Sequence, residues 1–457
     1  MYLESGDFMS LYRKIEKKLT EWLDSKYGLL LYGARQVGKT YILKEFISSH
    51  FNKMIYLNLY NNVDAIKTLI NSKDSKEFIL RLSSLVDMTI EKDDCIFIDE
   101  IQEYYTYLSK HKEIETYFDL ITGIKFIVES GDYRIVYSGS LLRLELNNVI
   151  SNPAGYVLPL ELYPLDFEEF LLANNVNPEL IEIARQAFYD RKEVPDYIHI
   201  KFTDLFKKYL LVGGMPNAVN EFVTKNSFVA VENAHKTIEY FIRDDITKYA
   251  KDNEKLKIKE IYNIIPTELN HASKRFIFSH IVGHNKNEDE VLSLSWLINS
   301  GVIIPVYIAN EPSIPLKISS VRNKLKVFHE DVGLLTYLLL NHKSKIKLLD
   351  EKININYGAV YENVVAQLLY AHGFSNLYYY DNKKNGEVDF LVEYESKVLP
   401  LEIKSGKSYE RHKALKKLIN IENYDIDEGY VFYDENYQLI DKVHYFPIYL
   451  IDFLNNE

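Results

Sequence analysis

Short apolar runs separated by longer amphipathic stretches dominate the first third of the chain. A short apolar run is typical of a buried strand, whereas apolar positions spaced three and four apart are typical of a helix. The runs predict strands at residues 28–33, 54–60, 95–99, 133–138 and 157–162. Because helical stretches alternate with these strands, we expect an α/β fold with a parallel sheet covered by helices on both faces.

The middle of the chain has a different pattern. Residues 163–253 are predicted to be mostly helical, and two more helices are predicted at 256–269 and 290–299. Strands at 302–308 and 324–329 follow them. Helices followed by a two-stranded hairpin predict a winged-helix-like segment, which can enter a DNA groove or pack against protein. Packing against protein is favoured, because aromatic and basic residues do not interleave there.

The first predicted strand leads into a glycine loop that is followed by a helix. Residues 33–40 have the complete phosphate-binding pattern G-x-x-x-x-G-K-T. The glycines allow consecutive N–H groups to point at one anion, Lys39 would reach the β- and γ-phosphates, and the Thr40 hydroxyl would ligate Mg²⁺. We therefore predict an ATP site with Mg²⁺, formed by Gly33, Ala34, Arg35, Gln36, Val37, Gly38, Lys39, Thr40 and Tyr41.

The third predicted strand ends in two acids. Asp99 would orient Mg²⁺ through water, and Glu100 would polarise the water that attacks the γ-phosphate. Ser138 ends the next strand, where a polar side chain would help to position that water. The alternative for Ser138 is a turn that serves no nucleotide. The predicted catalytic residues of this site are Lys39, Glu100 and Ser138.

These motifs, in this order, resemble prokaryotic AAA-type ATPases that carry a C-terminal domain of unknown function. The resemblance continues through residues 162–170, 209–216, 244–248 and 331–335. In related ATPases the Gly-Gly-x-Pro turn packs near the adenine, which implies that Gly214 and Pro216 contact the nucleotide. The alternative is that this turn only ends the preceding helix.

The resemblance implies four domains. They are an AAA-type P-loop ATPase core at residues 1–170, a helical lid at 171–253, a winged-helix-like domain at 254–345 and a nuclease-like α/β domain at 346–457.

One position departs from that family. Its members often have an arginine after the glycine that precedes the fifth strand, whereas Tyr156 stands there in this chain. Such an arginine could stabilise the charge of the transition state. The remaining candidates nearby are Arg134, Arg143 and Arg243.

The tail carries a second set of acids on two strands that are predicted to pair as a hairpin. Asp389 lies on the first strand, and Glu402 and Lys404 lie two residues apart on the second, hence on one face. Two carboxylates can hold Mg²⁺, the lysine could align an attacking water, and Glu362 on the preceding helix could add a third acid. This set resembles the PD-(D/E)xK nuclease fold, with Val388 where that motif has proline. The alternatives are ordinary surface acids, or a nuclease fold kept only for packing or DNA binding.

Composition narrows the class of protein. A chain of 457 residues is long enough for several domains, and its net charge of −12 disfavours general coating of nucleic acid. The single cysteine, Cys95, excludes a disulfide framework and fits a reducing cytoplasm. The first ten residues lack the basic region of a signal peptide, and we expect no membrane span.

The leading hypothesis is an ATP-hydrolysing protein whose nucleotide state controls a metal-dependent, DNA-acting tail. The alternative is a regulatory ATPase switch whose tail binds protein or nucleic acid without cutting. Both hypotheses share ATP and Mg²⁺ and allow a homo-oligomer or a protein partner.

Overall fold

A parallel five-stranded sheet organises the first part of the chain in the computed structural model, which describes residues 11–111, 120–140, 155–250, 254–269, 276, 288–349, 358–405 and 412–456. The strand order is β2-β3-β4-β1-β5, and every pair is parallel, as predicted. The strands are β1 (Gly28–Tyr32), β2 (Met54–Asn58), β3 (Cys95–Asp99), β4 (Arg134–Gly139) and β5 (Val157–Glu161).

Both faces of this sheet are buried. In β1, Leu29 and Leu31 belong to one apolar core, whereas Leu30 belongs to another. A strand that is buried on both faces requires a continuous apolar run, which is why this strand could be predicted from the sequence. The helices that accompany the sheet are Ile15–Leu23, Lys39–His50, Val63–Ile70, Ser75–Val86, Gln102–Lys110 and Leu120–Ser130.

A helical segment follows β5, as predicted for residues 163–253. Its first helix begins with a capping box, in which Asp166 and Glu169 each accept a hydrogen bond from the other's backbone N–H. The helices are Phe167–Ala173, Pro178–Tyr189, Asp196–Val212, Pro216–Lys225 and Phe228–Tyr249. We call the last of these, with 22 residues, the long helix.

An eight-stranded sheet combines the middle of the chain with the tail, in the order β12-β13-β11-β10-β9-β8-β6-β7. The strands are β6 (Ile303–Ala309), β7 (Ser320–His329), β8 (Leu377–Asn382), β9 (Gly386–Tyr394), β10 (Lys397–Ile403), β11 (Gly429–Tyr433), β12 (Gln438–Ile440) and β13 (Val443–Pro447). The remaining helices are Lys255–Leu269, Glu288–Asn299, Leu316–Ser319, Val332–Leu339, His342–Leu349, Gly358–Ala371 and Lys413–Ile419, with a 3₁₀ helix at Ile448–Phe453.

The hairpin that we predicted as a wing is not a free wing. β6 pairs with β7 on one side, but it also pairs in parallel with β8 of the tail. The alternating pattern of β6 and β7 identified two strands and their pairing, but it contained no information about a third partner. The sheet therefore crosses the predicted boundary at residues 345 and 346, and the four domain bounds stay predictions.

The predicted hairpin of the tail is present. β9 and β10 are antiparallel, with Tyr394 opposite Lys397. The two residues between them, Glu395 and Ser396, both have positive φ, which is the geometry of a tight two-residue hairpin turn. This turn sets the register that brings Asp389 toward the end of β10.

A polar network joins the tail to the helical segment. The Asp452 carboxylate accepts a hydrogen bond from the N–H of Glu168 at 2.9 Å. His372 Nε2 lies 3.2 Å from Asp166 Oδ2, and Lys14 Nζ lies 2.7 Å from the same oxygen. Charged groups from three distant parts of the sequence therefore meet in one place.

Among the helices of the described ranges, none has the length and apolar character needed to cross a membrane.

Candidate nucleotide site and acid cluster of the tail

The glycine loop connects β1 to the Lys39–His50 helix at the carboxyl edge of the parallel sheet. Gly33 has a φ of +145° and Gly38 a φ of +97°, both in the region that favours glycine. A Cβ atom on Gly33 would lie 2.1 Å from the carbonyl oxygen of Leu162. Both the backbone conformation and the packing therefore require glycine at the start of the loop.

Lys39 and Thr40 project from the first turn of the helix after the loop. Lys39 Nζ donates to the carbonyl oxygens of Gly33 and Ala34, at 2.9 and 2.7 Å. Burial lowers the pKa of Lys39, although nearby acids oppose the shift. The Thr40 hydroxyl donates to Asp99 Oδ2 at 2.9 Å. A hydroxyl and a carboxylate at this separation are hard oxygen donors of the kind that Mg²⁺ prefers, so the residues present fit that ion.

Asp99 is held by polar groups from the two strands beside β3. Its Oδ2 accepts from the Tyr56 hydroxyl at 3.0 Å and from Asn58 Nδ2 at 3.1 Å. The Ser138 hydroxyl donates to its other oxygen. Ser138 thus lies in the site, with its hydroxyl hydrogen-bonded to the Asp99 carboxylate. Tyr56 and Asn58 were not among the predicted residues, because isolated polar side chains at the end of a strand give no pattern.

Glu100 follows Asp99 with a φ of +59°, a conformation that is uncommon for a residue with a side chain. Its carboxylate accepts a hydrogen bond from Gln102 Nε2, and Gln102 also reaches Ser140 Oγ at 3.2 Å. Burial raises the pKa of Glu100, and the negative charge of Asp99 adds to the rise. A carboxylate with a raised pKa takes up a proton more readily than an exposed one.

A cavity of about 460 Å³ lies against the loop. It is lined by the predicted residues Arg35, Gln36, Gly38, Lys39, Thr40, Tyr41, Glu100 and Pro216. Gly214 is placed differently. Its N–H donates to Asp331 Oδ2 at 2.6 Å, and a Cβ atom there would lie 2.0 Å from the carbonyl oxygen of Leu165. The Gly-Gly-Met-Pro turn therefore presents its proline to the cavity and its second glycine to the packing beneath.

Arg13 supports the loop from below and was not predicted. It is buried, and its Nη1 donates to the carbonyl oxygen of Val37 at 2.9 Å. Its Nε lies 3.3 Å from the Glu169 carboxylate. No local motif surrounds Arg13, so only the fold reveals that it contacts a loop 20 residues or more away in the chain.

The acids predicted in the tail do come together. Asp389 Oδ2 accepts from the N–H of Ile403 at 2.8 Å, and Lys404 Nζ lies 2.5 Å from Glu402 Oε1. Burial raises the pKa of Glu402 to about 8, with the charge of Asp389 adding to the shift and Lys404 opposing it. Within the described residues, Glu402 Oε2 is buried without a hydrogen-bond partner.

Lys326 of β7 enters this cluster, and sequence reasoning missed it. Its side chain is 0% exposed, and its Nζ lies 2.7 Å from Glu387 Oε1, 3.5 Å from Glu362 Oε2 and 4.0 Å from Asp389 Oδ1. Burial would lower the pKa of Lys326, but these acids outweigh it and raise the pKa. We call Lys326, Glu362, Glu387, Asp389, Glu402 and Lys404 the acid cluster. An ammonium group thus already compensates three of its acids.

Family models match three parts of the chain. An AAA domain matches residues 25–171, a domain of unknown function (DUF8612) matches residues 203–345, and a second domain of unknown function (DUF4143) matches residues 357–451. The last two descriptions name no activity. The winged-helix-like and nuclease-like parts of our interpretation therefore stay predictions.

Two archaeal relatives match most of the chain. The uncharacterized protein MJ1544 of Methanocaldococcus jannaschii is 26% identical over 382 residues, which cover 81% of this chain and 73% of the relative. The uncharacterized protein MJ1637 of the same organism is 25% identical over 451 residues, which cover 90% of this chain and 84% of the relative.

Solved structures give more distant similarities. The Walker-type ATPase PABY2304 of Pyrococcus abyssi is 16% identical, with a TM-score of 0.44, over 72% of this chain and 96% of that chain. The Aeropyrum pernix ORC1 protein, solved in complex with DNA, is 14% identical, with a TM-score of 0.30, over 72% of this chain and 92% of that chain. The glycine loop, the acids that end β3 and the match over residues 25–171 identify this part of the chain as an AAA-type P-loop ATPase domain.

Proposed function

We propose that this protein hydrolyses ATP at the glycine loop and uses the nucleotide state to control its tail. The observation that carries the proposal is the 2.9 Å hydrogen bond from Thr40 to Asp99, beside a lysine that donates to two loop carbonyls. Lys39 and Thr40 both line the cavity, and the Thr40 hydroxyl lies next to the Asp99 carboxylate, which supports this proposal.

The residues have distinct roles in this proposal. Lys39 would exchange its two carbonyl partners for the β- and γ-phosphate oxygens. Mg²⁺, held by Thr40 and oriented by Asp99, would neutralise negative charge on the phosphates. Ser138 would keep Asp99 in place through the hydrogen bond described above.

Glu100 would act as the general base. As the oxygen of a water molecule forms a bond to the γ-phosphorus, the bond from that phosphorus to the bridging oxygen breaks, and ADP leaves with the electron pair. The water proton passes to Glu100 and then to the phosphate product, so that Glu100 is regenerated. Its position in the lining of the cavity and its raised pKa suit this task.

Two substitutions test the ATPase proposal. Lys39→Ala should abolish ATP binding, whereas Glu100→Gln should bind ATP but lose roughly 10²–10⁴-fold in the rate of phosphate release, the usual contribution of a general base. Lys67→Ala and Glu91→Gln, at exposed positions of the same domain, are the matched controls. Full hydrolysis by Glu100→Gln would contradict the role given to Glu100, and ATP binding by Lys39→Ala would contradict the site.

A second candidate function is metal-dependent cleavage of DNA by the tail. It is favoured by the convergence of Asp389, Glu402 and Lys404, and by the unpartnered buried oxygen of Glu402 within the described residues. Lys326 would compete with a divalent cation for Asp389, since its ammonium already lies 4.0 Å from that carboxylate.

One paired assay distinguishes a tail that cleaves DNA from a tail that binds without cutting. Purified protein is incubated with DNA, Mn²⁺ and either ATP or ADP, and both DNA cleavage and phosphate release are measured. Cleavage that is absent from Glu402→Ala would support the nuclease. Phosphate release with intact DNA would support a tail that binds without cutting.

A further inference from the structure

Arg35 occupies the third position of the glycine loop and lines the cavity beside Glu100. Its guanidinium forms an ion pair with Asp245 of the long helix. The rings of Tyr60 and Phe241 lie 5.3 and 5.1 Å from its central carbon. The side chain is 14% exposed. The Arg35 guanidinium is therefore held at the loop by an acid and a ring of the long helix.

Two of the arginines that the sequence offered as candidates make their contacts elsewhere. Arg134 lies at the amino end of β4 and donates to the carbonyl oxygens of Trp22 and Leu23, at 2.9 and 2.8 Å. Arg243 pairs with Glu239 and donates to a side chain 20 residues further on. Arg143 lies outside the described residues. Of the three arginines that the sequence offered, the two that are described point away from the phosphate-binding loop.

We propose that Arg35 supplies the positive charge for the γ-phosphate from within the chain, and that Asp245 competes with the γ-phosphate for its guanidinium. This inference rests on the ATPase function proposed above. ADP, which has no γ-phosphate, leaves the pair between loop and long helix intact. ATP breaks the pair, so this contact between the loop and the long helix is present in one nucleotide state and absent in the other.

The surroundings of Asp245 allow this carboxylate to lose Arg35 as its partner. Burial raises the pKa of Asp245 to about 6, even though the charge of Arg35 opposes the shift. Once Arg35 turns to the phosphate, Asp245 can therefore take up a proton near neutral pH instead of remaining a buried, unpaired charge. A second contact, from Lys248 Nζ to Glu103 Oε1 at 2.5 Å, keeps the end of the long helix near the residues that follow β3.

The test compares ATP with ADP. In a Glu100→Gln background, which prevents turnover, the dissociation constants of both nucleotides with Mg²⁺ are measured by calorimetry. Arg35→Ala should weaken ATP binding by about tenfold or more, the loss of one charge-assisted hydrogen bond, and leave ADP binding within about twofold. Asp245→Asn should strengthen ATP binding and leave ADP binding unchanged. With Glu100 intact, Arg35→Ala should slow single-turnover hydrolysis by about 10³.

Each result decides a separate point. Equal weakening of ATP and ADP by Arg35→Ala would overturn the proposal and reduce Arg35 to a residue that shapes the loop. Weaker ATP binding by Asp245→Asn would overturn the competition. Arg35→Lys, which keeps the charge, should retain part of the preference for ATP, and Arg81→Ala, in a half-buried pair on another helix, should behave like the parent. Normal binding of both nucleotides by Lys39→Ala would instead overturn the ATPase function itself.

Discussion

Replacing Lys326 by methionine removes the cation at the centre of the acid cluster while keeping most of the side-chain volume. The ammonium is completely buried and lies within 4.0 Å of three carboxylates. Removing one partner of a buried ionic group costs about 3–5 kcal/mol, because the remaining charges are left uncompensated. For a cooperative unit of about 150–250 residues, this corresponds to a thermal midpoint lower by roughly 6–20 °C.

The missing charge can be supplied from solution. If the acids can hold a divalent cation, Mn²⁺ at 100 times its dissociation constant should return about 2.7 kcal/mol to the Lys326→Met variant. The assay is the thermal midpoint in EDTA and in a series of Mn²⁺ concentrations. Mn²⁺ should stabilise the variant more than the parent protein, in which Lys326 competes for the same oxygens.

The matched control is Lys324→Met, an exposed position two residues earlier on the same strand. It should change neither the midpoint in EDTA nor the response to Mn²⁺. A Lys326→Met protein that unfolds at the parent's temperature would refute the electrostatic argument. Equal stabilisation of variant and parent by Mn²⁺ would show that Lys326 does not compete with the metal.

Three further predictions concern pH and packing. The hydrogen bond to Asp166 and the charges of Asp166 and Asp452 outweigh burial and raise the pKa of His372. The contribution of His372 to the free energy of unfolding, about 1.5–3 kcal/mol, should therefore be full below pH ~6.5 and lost as the pH rises through the raised pKa. Comparing the thermal midpoints of the parent and of His372→Asn across pH checks this. Gly214→Ala should cost about 3 kcal/mol because its methyl group would meet a carbonyl oxygen 2.0 Å away, whereas Gly131→Ala, with open space around it, should cost about 1 kcal/mol. Because burial raises the pKa of Glu100 above 4.5, the rate of ATP hydrolysis should fall as the pH is lowered, with a midpoint above pH 4.5. A midpoint at or below pH 4.5 would contradict the proton transfer to Glu100.

The parallel sheet could be predicted from the sequence because its three central strands, β1, β3 and β4, are buried on both faces. Such strands require unbroken apolar runs, and the loop that follows β1 carries a fixed pattern of glycines, lysine and threonine. The parallel arrangement of the strands also followed from their alternation with helices. These features are local in the chain, so a single sequence contains them.

The sharing of one sheet by the middle segment and the tail could not be predicted. The pairing of β6 with β8 joins residues about 70 positions apart, and an edge strand has the same alternating pattern whether or not it finds a further partner. Lys326 was missed for the same reason. A lysine flanked by apolar residues in a strand gives no sign that three acids surround it, because those acids come from the tail.

The two sites are connected by β7. Lys326 lies in the acid cluster, whereas Glu330 and Asp331 directly follow the last residue of the strand, and Asp331 accepts the N–H of Gly214 in the turn that presents Pro216 to the nucleotide cavity. From Lys326 to Glu330 the strand covers only about 13 Å. Between these points β7 is paired with β6 without a break, from Lys326 opposite Val306 to His329 opposite Ile303. A nucleotide that shifted the turn would therefore act on the strand that carries the Lys326 ammonium, and this is a physical route for the proposed control of the tail by ATP.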